Sequence, residues 1–392
     1  MPVGLWFCLF HPKTSITTNF LFEYQMIRPL NFTFYLIFCL LLSCGRATVP
    51  DKNESSQASN EKEENTSETS TSISSLGDWV LSKTSETIYT LSNETLSSEI
   101  NGSLTWESNG KAFFFVSSFT KGSSVMNLVS GDVLFGAGNT DSSLIIYELE
   151  NRAEIFLFSP SCAQTDLNLV GFSANTASPT SFYEKNMFDL TASNTSLTIN
   201  KQSSLSDITF SSSSIIISDS CESGYYNNSD ASFSILNENG FGYGLSGDEI
   251  FIYSSQTKAE DNNFSGKVYG LAIFNDGTSY PAEFLGSTGG TNILDAELSS
   301  FDSSSNSTDS NFLVNMSFDT STPVEGENFF YSSQDGDTFT DSLCSFSKLS
   351  NISGDGVESN SYVILCNINT LDSTKNDQSD NQNGIFVGFV NP

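Results

Sequence analysis

Histidine is nearly missing. The chain of 392 residues has one, His11, and none after Cys44. That excludes Ser-His-Asp and Cys-His catalysis in their usual forms beyond Cys44, and it removes the commonest zinc and copper ligand. Positive charge is scarce too: 15 Lys and Arg face 46 Asp and Glu, a formal charge of −31 at pH 7. Such a surface repels phosphate backbones, so nucleic acid is excluded as a partner. It also repels anionic lipid heads, so attachment to a membrane must come from something other than charge. The acids are scattered rather than clustered, and the charge reads as solubility ahead of cation binding. Helical patterning is nearly absent. An enzyme built from these residues would have to use carboxylates alone, as many glycosidases do, yet no pair of Asp or Glu stands out from the background.

What the chain does have begins with an apolar run from Leu30 to Leu42. It is too short for a bilayer core, which needs roughly 20 residues, and it fits the hydrophobic region of a secretory signal, with Arg28 ahead of it. Leu41, Leu42, Ser43 and Cys44 follow, then Gly45. This stretch resembles the bacterial lipobox. The resemblance implies cleavage before Cys44, acyl chains on its thiol, and a lipid-anchored place at the outer membrane, facing the periplasm or the cell surface. Residues 1–25 sit awkwardly ahead of such a signal, and a start at Met26 gives a compact one over 26–43. From Ala47 the chain reads ATVPDKNESSQASNEKEENTSETSTSISS, with no aromatic residue. A segment of this kind cannot bury enough surface to offset its ordering entropy, so 44–75 reads as an acylated cysteine and a disordered stalk. Asn-X-Ser/Thr triplets, as at Asn53, Asn65 and Asn93, arise by chance in a chain so rich in these residues.

Residues 76–392 form the body, and 33 Phe in the whole chain supply bulk for a core. Short runs of β-branched and aromatic residues alternate with Gly, Asn, Asp and Ser: KAFFFVSSF, SLIIYELE, AEIFLFS, SSIIIS, DEIFIYSS, KVYGLAIF, FFYSS, SYVILCNI and GIFVGFV. Each has the length of a strand, so the class is all-β. Lys111–Val129 laid over Arg152–Val170 matches at an offset of 41 residues, and FIYSSQ from Phe251 returns as FFYSSQ from Phe329. A unit near 40 residues predicts four-stranded blades and a β-propeller of about seven, with β-sandwich or soluble β-barrel domains as the alternative. The stretch NGKAFFFVSSFTKGSSVMNLVSGDVL resembles the blade repeat of YVTN-type propellers. That resemblance implies one strand at Phe115-Val116, a second at Val125-Met126-Asn127-Leu128, and a turn at Ser130-Gly131; the family's usual Asp is here Asn127. The run NGIFVGFVNP either closes a ring against the segment around Trp79 or Ile88 or is the last stave of a barrel. Several strands are apolar at successive positions, unlike the alternating strands of an outer-membrane barrel.

Four cysteines follow Cys44: Cys162, Cys221, Cys344 and Cys366. An exported chain meets an oxidising compartment, and an even count predicts two disulfides. Of three connectivities, Cys162–Cys221 with Cys344–Cys366 closes the shorter loops. No catalytic residue and no cofactor is expected. Asp335, Asp337 and Asp341 superficially resemble a calcium loop, but the terminal Glu is missing and an Asp-Gly turn is the plainer use. NDGTSY at 275–280 reads as a hairpin turn, and GFGYG at 240–244 as a tight turn or loop. The functional expectation is a membrane-anchored, exported β-protein that binds or scaffolds an unspecified protein or glycan. A carboxylate-only glycan-active enzyme and a calcium-dependent adhesin are the alternatives.

Overall fold

A computed structural model describes residues 73–391 apart from 86, 140–141, 151, 163–166, 176–186, 203–209, 218–219, 229–230, 236–240, 256–265, 275–276, 291–292, 303–306, 320, 322–328, 332–342, 350–360 and 370–382. The described residues are all-β, in three eight-stranded antiparallel sheets. The first holds β1 (Ile73–Leu76), β2 (Val80–Lys83), β3 (Ile88–Asn93), β4 (Ser98–Trp106), β5 (Lys111–Thr120), β6 (Val133–Asn139), β7 (Ser143–Leu149) and β8 (Arg152–Phe158). The second holds β9 (Leu167–Asn175), β10 (Met187–Ser193), β11 (Ser196–Gln202), β12 (Phe210–Ile217), β13 (Tyr225–Asn227), β14 (Ala231–Ile235), β15 (Phe241–Ser246) and β16 (Glu249–Ser255). The third holds β17 (Gly266–Phe274), β18 (Ser279–Gly290), β19 (Ile293–Asp302), β20 (Ser307–Asp319), β21 (Phe329–Tyr331), β22 (Leu343–Lys348), β23 (Tyr362–Asn369) and β24 (Asn383–Val390).

Each sheet is a meander curled so far that its first strand bonds its last: β1 to β8, β9 to β16, β17 to β24. The ladder is interrupted between β1 and β2 in the first sheet, β12 and β13 in the second, and β20 and β21 in the third. The result is three nearly closed barrels. The expected ring of about seven four-stranded blades is not what forms. The 41-residue offset relates β5 to β8, which run in opposite directions within one meander, so it marks shared apolar composition and not a structural unit. The repeated unit is a whole meander, starting at Ile73, Leu167 and Gly266. Strand β1 also begins three residues before the predicted edge of the body.

The continuous apolar runs have a physical cause. Each barrel has its own interior, and a further core lies where the three barrels meet. Strands at that meeting bury both faces. On β8, Phe156 and Phe158 fill the first barrel while Ile155 and Leu157 enter the shared core. On β16, Phe251 and Tyr253 point inward and Ile252 outward to the shared core; on β24, Phe386 points inward and Ile385 and Val387 outward. The seam strands pass close to each other at equivalent places. A Cβ on Gly171 would lie 2.1 Å from the Ile252 carbonyl oxygen, and one on Gly270 would lie 1.9 Å from that of Val387.

The residues of NGIFVGFVNP from Asn383 to Val390 form the last stave of the third barrel, paired with β17 and β23, and not a partner of Trp79 or Ile88. Just beyond it, Asn391 donates from its backbone to the Ser108 oxygen (2.9 Å) and from Nδ2 to the oxygens of Glu107 (2.8 Å) and Gly138 (3.1 Å), tying the third barrel to the first. A buried contact of Ser254 with Ser347, 2.8 Å between hydroxyls, joins the second to the third.

Candidate functional site

Both expected disulfides are present. Cys162–Cys221 ties the link between the first two barrels to the β12–β13 connection. Cys344–Cys366 joins directly opposed residues of β22 and β23 inside the third barrel, where both are fully buried. At the expected NDGTSY turn β17 and β18 pair antiparallel and the Gly277 N–H donates to the Phe274 oxygen (2.9 Å), Asn275 and Asp276 themselves lying outside the described residues. GFGYG behaves otherwise: Phe241–Ser246 is strand β15, and a Cβ on Gly244 would lie 2.0 Å from the Phe233 ring, so the glycine makes room for an aromatic in the barrel interior. Cys44 and the candidate calcium residues Asp335, Asp337 and Asp341 lie outside the described residues. Among the described residues no group of His, Cys, Asp and Glu is placed to hold a metal, and no helix is long and apolar enough to cross a membrane.

Eight-stranded barrels can enclose a ligand, but these are packed with side chains. Trp79, Phe114 and Phe156 fill the first, Phe188, Phe233 and Phe251 the second, and Phe284, Phe346 and Phe386 the third. With the described interiors filled, the outer surfaces and the polar clusters are the places open to a partner. Among the described residues, the buried charged side chains fall in two clusters. At the rim of the first barrel Glu154 is fully buried. Its Oε1 accepts from the Asp78 backbone N–H (3.3 Å) and from Arg152 Nε (2.9 Å), while Arg152 also pairs with Asp78 at 2.5 Å. Its Oε2 is buried with no hydrogen-bond partner. Burial pushes the carboxyl up to about 7, against the opposing pull of Arg152. Closed to solvent, the group cannot meet a substrate; it staples the turn between β1 and β2 to β8.

The second cluster lies between the first and third barrels. Lys111 on β5 is buried, with its Nζ 5.6 Å and 5.8 Å from the ring centroids of Phe113 and Phe135, and 5.0 Å and 4.9 Å from those of Tyr269 and Phe301. Ring faces at this range attract a cation. Burial nonetheless lowers the Lys111 pKa, with Glu107 and Glu283 acting to hold it up. Tyr269 hydrogen-bonds Glu283 and is pushed up to about 12, chiefly by burial. Glu283 also accepts from Lys267 at 2.8 Å. This is a clamp between barrels.

The outer surface offers one conspicuous feature. Twelve residues separate Thr120 of β5 from Val133 of β6, where hairpin loops usually have about 2–5. The resemblance to a YVTN-type blade implied a strand at Val125–Leu128. Instead the backbone is held as a loop, because its donors find side chains and turn carbonyls and not a neighbouring strand. Val125 N–H donates to Glu150 Oε2 (3.2 Å), Met126 N–H to the Ser124 hydroxyl (3.0 Å), and Val129 N–H to Asp132 Oδ2 (2.7 Å). The Ser124 hydroxyl bonds Glu150, and Ser123 N–H reaches the Leu96 oxygen at 2.8 Å. Met126 and Leu128 pack toward the first barrel, while Val125 and Val129 stand 64% and 65% exposed. They are the most exposed large apolar residues in the described structure, and sequence reasoning missed them because their apolar spacing reads as strand.

No family model matches the chain, and no curated protein matches it. Solved structures that the chain is similar to include two crystal structures of the vaccine antigen transferrin-binding protein B from Haemophilus parasuis. A single mutant aligns at 11% identity and a TM-score of 0.23, and a double mutant at 13% and 0.22. Each alignment covers 80% of this chain and 66% of the other. At such scores the overlap carries no conclusion about fold or activity.

Proposed function

We propose that the chain is an exported lipoprotein, acylated at Cys44, that holds a three-barrel body at the outer membrane to bind or scaffold another molecule by its outer surface. The observation that carries this reading is the pairing of all four cysteines after Cys44 into two disulfides, which is the state of a chain that folds in an oxidising compartment. The lipobox-like stretch ahead of Cys44 supplies the anchor, and several acyl chains hold a protein where one would bind reversibly. Packed barrel interiors favour surface recognition over carriage of a ligand in a lumen.

The test is metabolic labelling with radioactive palmitate in a bacterial host, comparing the wild type with Cys44→Ser. The wild type should carry label and fractionate with the outer membrane. The variant should carry none and appear in the soluble fraction. An unlabelled wild type would end the proposal.

A further inference from the structure

Single exposed apolar residues, such as Ile216 and Leu313 on strands, need no explanation. The loop between β5 and β6 is different. Val125 and Val129, four residues apart, are held out by a backbone already fixed at Ser123, Val125, Met126 and Val129, so little ordering would remain to be done on contact. The charges next to them are mostly of one sign. Glu150 and Asp132 hold the loop itself. Exposed Glu94 lies in the turn whose Leu96 oxygen accepts from Ser123, and exposed Glu99 pairs across the ladder with Thr120. The nearby cation is Lys121, whose Nζ bonds Asn127.

We propose that this loop is the docking surface for a partner protein that presents an apolar depression ringed by Lys and Arg, with Val125 and Val129 as the anchors. The choice of occupant follows from the chemistry. Aliphatic side chains give no donors or acceptors for sugar hydroxyls, and the acidic rim repels anionic lipid. A second copy would bring the same acidic rim to the same place, within a chain of formal charge −31. A basic protein surface satisfies both the apolar centre and the charge around it.

The inference rests on the reading of the chain as an anchored binding protein, and the experiment separates the two. A photo-cross-linking amino acid is placed at Val129, or at Leu313 as a control, in the full-length protein in cells, and palmitate labelling of the same cells reports the anchor. The expected result is one cross-linked protein from position 129 and none from 313, joined at a residue flanked by Lys or Arg. The yield should fall several-fold with Val125→Asp, and likewise with Glu94→Lys plus Glu99→Lys, with circular dichroism unchanged in both. Cross-links to lipid, to a second copy, to an acidic surface, or equally from position 313 would overturn it, as would no cross-link in a labelled, anchored protein. Missing label with the specific cross-link intact would instead defeat the anchor and leave the docking surface standing.

Discussion

At the residue scale the informative group is Glu154. A carboxyl with no exposure and one oxygen unpartnered is held closer to its neutral form than a free glutamate. Its folded pKa of about 7 lies above the ordinary glutamate value of 4.5. The folded state therefore holds a proton that the unfolded state has lost between these values. The stability from this group is complete below about 4.5 and disappears as pH rises through about 7. The shift corresponds to roughly 3 kcal/mol at most. Urea midpoints at pH 5, 6, 7 and 8 should fall with pH more steeply in the wild type than in Glu154→Gln, and parallel slopes would refute the assignment. The neighbouring glycine is bound to the same arrangement. Gly77 has φ of +138° and a Cβ there would sit 1.4 Å from Glu154 Oε2, so alanine meets both strain and collision. Gly77→Ala should cost about 2 kcal/mol or more, read as a lowered thermal midpoint.

At the scale of elements, the third barrel's disulfide shows what a cross-strand link contributes. Cys344 and Cys366 are direct partners in the ladder and fully buried, so the cystine is both a tether and part of the packing. Replacing both with alanine should cost about 2–5 kcal/mol in chemical denaturation. A loss of only a few tenths would show that the packing alone suffices. Strands of this kind were legible beforehand. AEIFLFS, KVYGLAIF, SYVILCNI and GIFVGFV announce themselves because they are buried on both faces. Strands such as β4, SEINGSLTW, and β18, SYPAEFLGSTGG, escaped notice because one face meets water and polar residues break the run. The near-40-residue period was misleading for the same reason. Two-sided strands resemble one another wherever they occur, and β5 and β8 matched in composition without matching in position. Nor was the docking loop legible, since whether Val125 and Val129 meet water is decided by where Glu150 and Asp132 accept their bonds.

At the scale of the whole molecule, the shared core decides how the barrels behave. Tyr147, Phe172, Tyr243, Leu271 and Phe389 come from three sheets and lie in one cluster. Separating the barrels would open that cluster and leave Lys111 without two of its four rings. Residues 73–391 should therefore unfold in one calorimetric transition, and three resolved transitions would show that each barrel stands alone.

One further consequence follows from each meander ending where it began. During synthesis, β1, β9 and β17 emerge early, yet the strand that covers the free edge of each arrives seven strands later. Until then the short β1 and the nine-residue β9 and β17 wait with bare amide and carbonyl groups along that edge, the situation that invites pairing with a stranger. The opening strands β9 and β17 are therefore where a half-made chain is most open to mispairing, and a chain released only when whole would avoid it.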